Sequence, residues 1–278
     1  MTSNPATDAR PRAGSSRRRP GQLGALWAAR ELLWMLALRD IRVRYKQAVL
    51  GLAWGILQPI SLTAIFTVFF ARFLGVPSDG VPYPLFALTG LLPWSFFASA
   101  LSTGIPSLSN NAALVGKVAF PREILPLAAV VAAGADFGAA GLAYIAIALT
   151  YGIPATGYLL YVPLLLLIQV ALAVGIVLVL SALNVSYRDV RHALPLLLQV
   201  WMFVTPIIYP VSAVPERLRF WYLCNPMAGL IGSYRRVVTQ GVGPDPAALT
   251  LAAVGTALLL VAAYGYFKRV EGEFADII

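Results

Sequence analysis

The chain has 278 residues, of which 59% are hydrophobic and only 12% charged, with a formal net charge of +9 and a mean hydropathy of +0.76. A soluble domain carries about 25% charged and about 45–50% apolar residues, so ordinary soluble enzymes, disordered proteins and secreted disulfide scaffolds are excluded. One cysteine, Cys224, and one histidine, His192, exclude an internal disulfide, a Cys- or His-rich metal site and most histidine-based catalysis. What remains is an integral membrane protein with little soluble mass.

Residues 1–20 are rich in Pro, Ser, Ala and Arg and hold no apolar run. They are expected to form a disordered basic tail, drawn here to residue 28, ahead of a membrane domain over 29–278. Ser16-Arg17-Arg18-Arg19 has the arginines of a twin-arginine export signal, but Pro20 and Gly21 follow with no short apolar core and no cleavage site.

A membrane-crossing helix needs about 20 mostly apolar residues. Windows of that kind fall at 47–71, at 80–116 (entered through Pro82, Pro84 and Pro93), and at 124–151, which only Asp136 interrupts. After the Gly152-Ile153-Pro154 break they recur at 158–183, 193–215 and 246–267. The expectation is an all-α protein with six transmembrane helices, hence both termini on one side. That side carries ten Lys/Arg ahead of the first span, then Lys117, Arg122, Arg188, Arg191, Lys268 and Arg269; the other carries Arg72, Arg217, Arg219, Arg235 and Arg236. Short loops rich in Lys and Arg stay inside, so both termini are expected in the cytoplasm. The excess positive charge then needs no nucleic acid; it orients the chain and attracts anionic membrane lipids, at about 1 kcal/mol per residue near the surface.

Ahead of the first span, residues 31–46 form two stripes at helical spacing. Trp34, Leu38, Ile41 and Tyr45 make one; Arg39, Arg42 and Lys46 make the other. This is the pattern of an amphipathic helix at the membrane interface, either an anchor for the next span or a lever that touches a partner. The loop at 110–126 mixes apolar residues with Lys117, Arg122 and Glu123. Pro121 suits the start of a helical turn and Glu123 its N-terminus, which fits a docking helix or a plain interfacial one.

Asp136 is the one acid well inside an expected span. An acid there costs roughly 2.5–3.5 kcal/mol at the helix centre, so it must face the bundle, a wet cavity or a partner group. No further acid or histidine lies at depth to make a proton relay, and a buried hydrogen-bonding role is the better reading. Gly51-x-x-x-Gly55 and Gly134-x-x-x-Gly138 permit close helix approach. The outer segment at 210–246 is too mixed to span and fits short interfacial or re-entrant helices. Trp94, Phe96, Phe97, Trp201, Phe203 and Tyr209 gather toward the same side, as an interfacial aromatic belt or as a lining on which sugar rings stack.

No catalytic or metal-binding motif emerges. Gly116-Lys117 lacks the upstream glycine and following Ser/Thr of a phosphate loop, and Gly-x-Ser-x-Gly, His-Glu-x-x-His and Asp-x-Asp are missing. Asn184-Val185-Ser186 matches a glycosylation sequon on the expected cytoplasmic side and is incidental. Energy for uphill movement has to come from outside the chain.

Four sets of residues resemble the polysaccharide-export ABC transporter permeases, the family that exports O-antigen, capsule and teichoic-acid chains. The first is Arg39-Asp40-Ile41-Arg42-Val43-Arg44-Tyr45-Lys46-Gln47 followed by Leu50-Gly51-Leu52-Ala53-Trp54 and Gln58-Pro59. The second is Phe120-Pro121-Arg122-Glu123-Ile124-Leu125-Pro126. The third is Leu183-Asn184-Val185 with Tyr187-Arg188-Asp189-Val190, Gln199, Trp201-Met202, Pro206 and Tyr209; the last is Asn225-Pro226-Met227 with Tyr234-Arg235. They run from about residue 30 to the end, and the basic tail is no part of the pattern.

The resemblance implies a homodimer of six-span permeases in the bacterial inner membrane. It would be joined to two copies of a separate nucleotide-binding ATPase that holds the ATP and Mg, with lipid-linked polysaccharide as cargo and no cofactor in this chain. It further implies that the helix bearing Trp34, Leu38, Arg39, Ile41, Arg42, Tyr45 and Lys46 packs at the ATPase interface. Lys117, Phe120, Pro121, Arg122 and Glu123 would form the coupling helix, Arg188 and Asp189 a cytoplasmic gate, and 210–246 the outer gate helices. Trp94, Phe97, Trp201, Phe203 and Tyr209 are assigned to the substrate path. The alternatives are a drug or small-lipid exporter of the same ABC type, and a membrane-embedded glycosyl- or acyltransferase. The latter should group acids or a histidine at the interface, whereas His192 has only Arg188, Asp189 and Arg191 nearby. A secondary transporter has little here to couple to.

Overall fold

The structure, a computed structural model, describes residues 22–46, 51, 53–118, 120–153 and 155–277. The tail at 1–21, the motif residues Gln47, Leu50 and Leu52, and Pro154 lie outside them. All regular structure among the described residues is helical. Two helices precede the spans, α1 (Gln22–Ala28) and α2 (Arg30–Tyr45), so part of the stretch read as tail is already helix.

Five helical stretches are long and apolar enough to cross a membrane. Ala53–Phe73 consists of α3 (Ala53–Phe66) and a π-helical continuation, Thr67–Phe73. The others are α4 (Tyr83–Gly104), α7 (Ile124–Thr150), α8 (Val162–Ser186) with its leading 3-10 turn, and α12 (Pro246–Val270) with a trailing one. Between α4 and α7 lie α5 (Ser107–Asn110) and α6 (Ala112–Lys117). After α8 come α9 (Asp189–Val204), α10 (Glu216–Leu223) and α11 (Pro226–Val238), and α13 (Phe274–Ile277) ends the described chain.

The window at 193–215 is not a single long helix. α9 stops at Val204, with Thr205 extended at φ −87°, ψ 138°. Pro206 follows, and a residue ahead of proline is pushed out of the α region. Sixteen residues at 1.5 Å each give about 24 Å of helix, short of the roughly 20 residues a crossing helix needs.

The bundle has two distinct ends. At the near end, Leu36, Ala37, Leu108, Val115, Ile124, Leu125, Phe267 and Phe274 share one buried cluster. It joins α2, the α5–α6 loop, the start of α7 and the end of α12. Asn184 Nδ2 at the end of α8 donates to Ser109 Oγ there at 3.1 Å. At the far end, Ser212 Oγ donates to Asp79 Oδ1 at 2.9 Å and Arg236 Nε to Gly243 O at 2.8 Å. α9 leaves the near end directly after α8, its Trp201 meets Trp94 and Phe97 of α4, and Tyr83 at the start of α4 donates to Ile208 O at 2.9 Å. The chain from 189 to 210 therefore travels from one end to the other.

α4 is the axis: 78% of its span window is buried, against 17% for Ala53–Phe73 and 22% for the last span. The outer helices thus keep broad apolar flanks turned away from the chain. Gln169, fully buried on α8, donates to Pro93 O at 2.6 Å and accepts from Tyr234 OH at 3.1 Å, tying α4, α8 and α11 together. The Gly134–Gly138 pair makes no close helix approach within the chain, since a Cβ at either meets nothing within 4 Å. Close approach occurs instead at Gly104, where a Cβ would lie 2.6 Å from Val177 Cγ1, and at Gly90, where it would lie 2.9 Å from Arg235 Nη2 and 3.1 Å from Ile207 O. Gly90→Ala should therefore lose about 1–3 kcal/mol by overpacking and lower the thermal unfolding midpoint of the detergent-purified protein. Gly134→Ala, with open space around it, should hold or raise that midpoint, alanine being the better helix former by about 1 kcal/mol.

Candidate functional site

The near end gathers most of the residues singled out in the sequence. α2 has no internal Gly or Pro to break it, and it packs through Leu33, Leu36 and Ala37. Of the apolar stripe, Trp34 and Leu38 are exposed, with Met35 beside them, and Ile41 and Tyr45 are half-buried; Arg39, Arg42 and Lys46 of the cationic stripe are exposed. The helix also does more than lie across the end of the bundle. Its last turn reaches Asp136, 12 residues along α7 or about 18 Å from that helix's start. There the Arg44 guanidinium pairs with Asp136 Oδ2, Tyr45 OH donates to Asp136 Oδ1, and Arg44 Nη1 donates to Ser99 Oγ at 3.3 Å. Burial, then the hydrogen bond to this carboxylate and its charge, push the Tyr45 phenol up to about 12, so it stays a donor at any physiological pH. The in-span acid thus has its partner group, and it is the end of α2.

The loop at 105–123 divides by side chain. Lys117, the last residue of α6, and Val118 after it are exposed, Phe120 packs partly on the near-end cluster, and Pro121 and Arg122 are half-buried. Arg122 donates to Glu271 O. Glu123 is 1% exposed, its Oε1 lies 2.7 Å from Lys268 Nζ, and Lys268 is held in turn by Glu271 at 3.0 Å. Glu123 therefore points into the fold, leaving Lys117 and Val118 as the outward part of the segment. Arg188 and Asp189 are exposed at the α8–α9 turn. Arg188 lines a polar cavity of about 200 Å³ with Ser109, Asn110, Asn184, Arg191 and Ile277.

The aromatic residues separate into two groups. Trp94 (5% exposed) and Phe97 (0%) are enclosed by the chain itself, with Phe97 edge-on to Trp201 at 5.1 Å between ring centroids. Trp201 Nε1 donates to Asn225 Oδ1 at 3.2 Å. Asn225 caps α11 by accepting from Met227 N at 3.1 Å, and its amide donates to Thr205 Oγ1 at 2.9 Å. Phe203 is 48% exposed, and Tyr209 is half-buried, donating to Phe203 O at 3.0 Å and sharing a 2.7 Å hydrogen bond with Tyr222 OH. Of the assigned path, only Phe203 is exposed.

Sequence reasoning gave no role to Arg235, and its position in the Tyr234-Arg235 motif was the only signal. It is 5% exposed and has no carboxylate partner among the described residues. Its guanidinium donates to Pro206 O at 2.6 Å, to Ile207 O, and more weakly to Phe86 O and Tyr209 O, with Cζ 3.6 Å from the Phe86 ring centroid. It satisfies carbonyls of the irregular segment that follows α9, Pro206, Ile207 and Tyr209.

No group of three or more His, Cys, Asp or Glu placed to hold a metal occurs among the described residues. Five helices long and apolar enough to cross a membrane, packed around a buried axis, define a membrane-embedded helical protein. Residues 31–238 match the ABC-2 type transporter family, and the chain belongs to that family. It is 32% identical over 256 residues to the O-antigen export system permease protein RfbA of Myxococcus xanthus, covering 91% of this chain and 97% of that protein. It is 30% identical to a Klebsiella pneumoniae protein of the same name, over 89% of this chain and 95% of the relative. To the polysialic acid transport protein KpsM of Escherichia coli it is 23% identical, over 85% and 92%.

Replacing Arg235 with Met keeps the length of the side chain but leaves buried carbonyls unpaired, each costing about 1–3 kcal/mol. The expected outcome is a marked drop in unfolding midpoint, and Arg235→Lys should not restore it because an ammonium cannot reproduce the planar fork.

Proposed function

We propose that this chain is the membrane-spanning subunit of an ATP-driven exporter that carries lipid-linked polysaccharide across the bacterial inner membrane. The observation that carries the reading is end-to-end similarity to O-antigen export permeases, which covers 97% of the Myxococcus relative. In this reading two copies of the chain join two copies of a separate ATPase, which holds the ATP and Mg.

The proposed topology has six crossings. The sixth is the path from 189 to 210: about 24 Å of α9, completed by the broken segment that Arg235 satisfies. Irregular backbone at membrane depth is tolerated only where protein covers it, and the Arg235 hydrogen bonds supply that cover. With six crossings the near end, which holds both α2 and the end of α12, is cytoplasmic, as its surplus of Lys and Arg favours. α10 and α11 are then the outer, re-entrant gate helices.

The ATPase contacts assigned here are the exposed faces of the near end. On α2 they are Trp34, Leu38, Arg39, Arg42 and Lys46; on the loop, Lys117 and Val118, with Phe120, Pro121, Arg122 and Glu123 as the frame that presents them. Arg188 and Asp189 gate the cytoplasmic mouth. Phe203 and Tyr209 face the cargo path, backed by Trp94, Phe97 and Trp201. Apolar rings suit passing sugar faces because they grip without a directional bond that would arrest movement.

Two experiments test the reading. Deleting the gene should strip a polysaccharide from the cell surface and accumulate its lipid-linked form inside; an unchanged surface polymer in a strain with no redundant exporter overturns the assignment. Lys117→Glu combined with Val118→Asp alters only outward side chains. Placing like charge or unpaired charge at an interface costs several kcal/mol, so the permease should purify folded while export is lost and the ATPase no longer co-purifies.

A further inference from the structure

We propose that Asp136 is the positioning residue through which movement of α2 enters the transmembrane bundle, an inference that rests on the export reading above. Four elements converge on this carboxylate. Arg44 and Tyr45 reach it from the last turn of α2, and it sits on α7. Ser99 of α4 shares the Arg44 guanidinium at 3.3 Å. Gly55 of α3 presents bare backbone to it, where an added Cβ would lie 3.5 Å from Asp136 Cβ and 3.6 Å from Oδ1.

The remaining grip of α2 on the bundle comes from Leu32, Leu33, Leu36 and Ala37 against an apolar cluster. Apolar contact is non-directional, so it holds the helix close without fixing its position along α7. The Arg44–Asp136–Tyr45 contact is directional and charge-assisted, and an acid inside a span has no alternative partner in lipid. It therefore fixes the axial register between α2 and α7. The outward face of α2, bearing Trp34, Met35, Leu38, Arg39 and Arg42, remains open. A push on that face is delivered about 18 Å along α7, to the point where α3, α4 and α7 meet, rather than dissipated at the near-end surface. Asp136 acts through Arg44 and Tyr45.

The test uses the complete transporter, permease with its ATPase, reconstituted in liposomes with lipid-linked polysaccharide extracted from the same cells as the probe. The readout is ATP hydrolysed per polymer exported. Asp136→Asn keeps an acceptor for Tyr45 but removes the ion pair, and this ratio should rise several-fold. The reciprocal exchange, Arg44→Asp with Asp136→Arg, should bring it back toward the parent value. Tyr45→Phe removes one hydrogen bond and provides a milder variant, with a smaller rise expected. Gln169→Leu breaks a buried tie unconnected to α2 and should lower the unfolding midpoint with the ratio unchanged. If hydrolysis and export fall together in Asp136→Asn, or the exchange restores nothing, Asp136 is only a structural pair and the proposal fails while the export reading stands. A parent transporter that hydrolyses ATP without exporting the polymer sinks both.

Discussion

Lipid offers no partner to a polar group, so every donor and acceptor inside an apolar bundle must be answered by the chain itself. That constraint organises most of this molecule, although Thr256 Oγ1 and Tyr264 OH on α12 are buried without a hydrogen bond, and Glu123 is held by ion pairing alone. The packing of α3, α4, α7, α8 and α12 is apolar along most of its length, and a handful of polar ties decide how the helices sit against one another. Gln169 joins α8 to α4 and α11. Thr89 Oγ1 meets Tyr144 OH at 3.0 Å between α4 and α7. Asp136 receives the end of α2, and Lys268 answers Glu123. Each tie crosses between elements far apart in the chain, where a contact of apolar surfaces alone would leave the register loose.

The break after α9 shows the same rule under strain. A proline ends the helix early; Thr205 and Tyr209 answer Trp201 O and Phe203 O at its end, and one guanidinium from a helix beside the break answers the carbonyls of the segment that follows. Arg235 suits the task because its five donors lie in a plane, and Gly90 clears the space it occupies. Asn225 performs a smaller version of this work, capping α11 while binding Trp201 and Thr205. The far end is thereby built around the interruption of α9.

Much of this was legible from the residues. Five of the six apolar windows became long helices because hydrophobic length is a local property that neighbours seldom override. Asp136 could be recognised as needing a partner from its cost alone, though not that the partner is α2, since nothing local links residues 44 and 136. Glu123 was read as suiting the N-terminus of a docking turn, and only the return of the chain at Lys268 turns it inward. The short α9 was hidden because hydropathy averages over Pro206 without registering what it does to Thr205. Trp94 and Phe97 were grouped with Phe203 by composition, which does not distinguish a ring inside the bundle from one on its surface. Of the Gly-x-x-x-Gly pairs, Gly134 and Gly138 meet nothing within 4 Å and Gly55 meets Asp136 at ordinary contact distance, yet the tightest helix approaches fall at Gly90, Gly104 and Gly229, which have no such pattern.

The pairing of Glu123 with Lys268 bears on how the protein is made. Glu123 emerges from the ribosome with the first half of the chain, whereas its cation belongs to the last span. Arg122 likewise waits for the Glu271 carbonyl, and Phe267 for Phe274. Until α12 inserts, the start of α7 carries an unanswered acid at the membrane surface and the near-end cluster lacks its final wall. Assembly of the end proposed to receive the ATPase thus waits on α12 and the residues that follow it. A chain truncated before α12 would present that end incomplete to the quality-control machinery of the membrane.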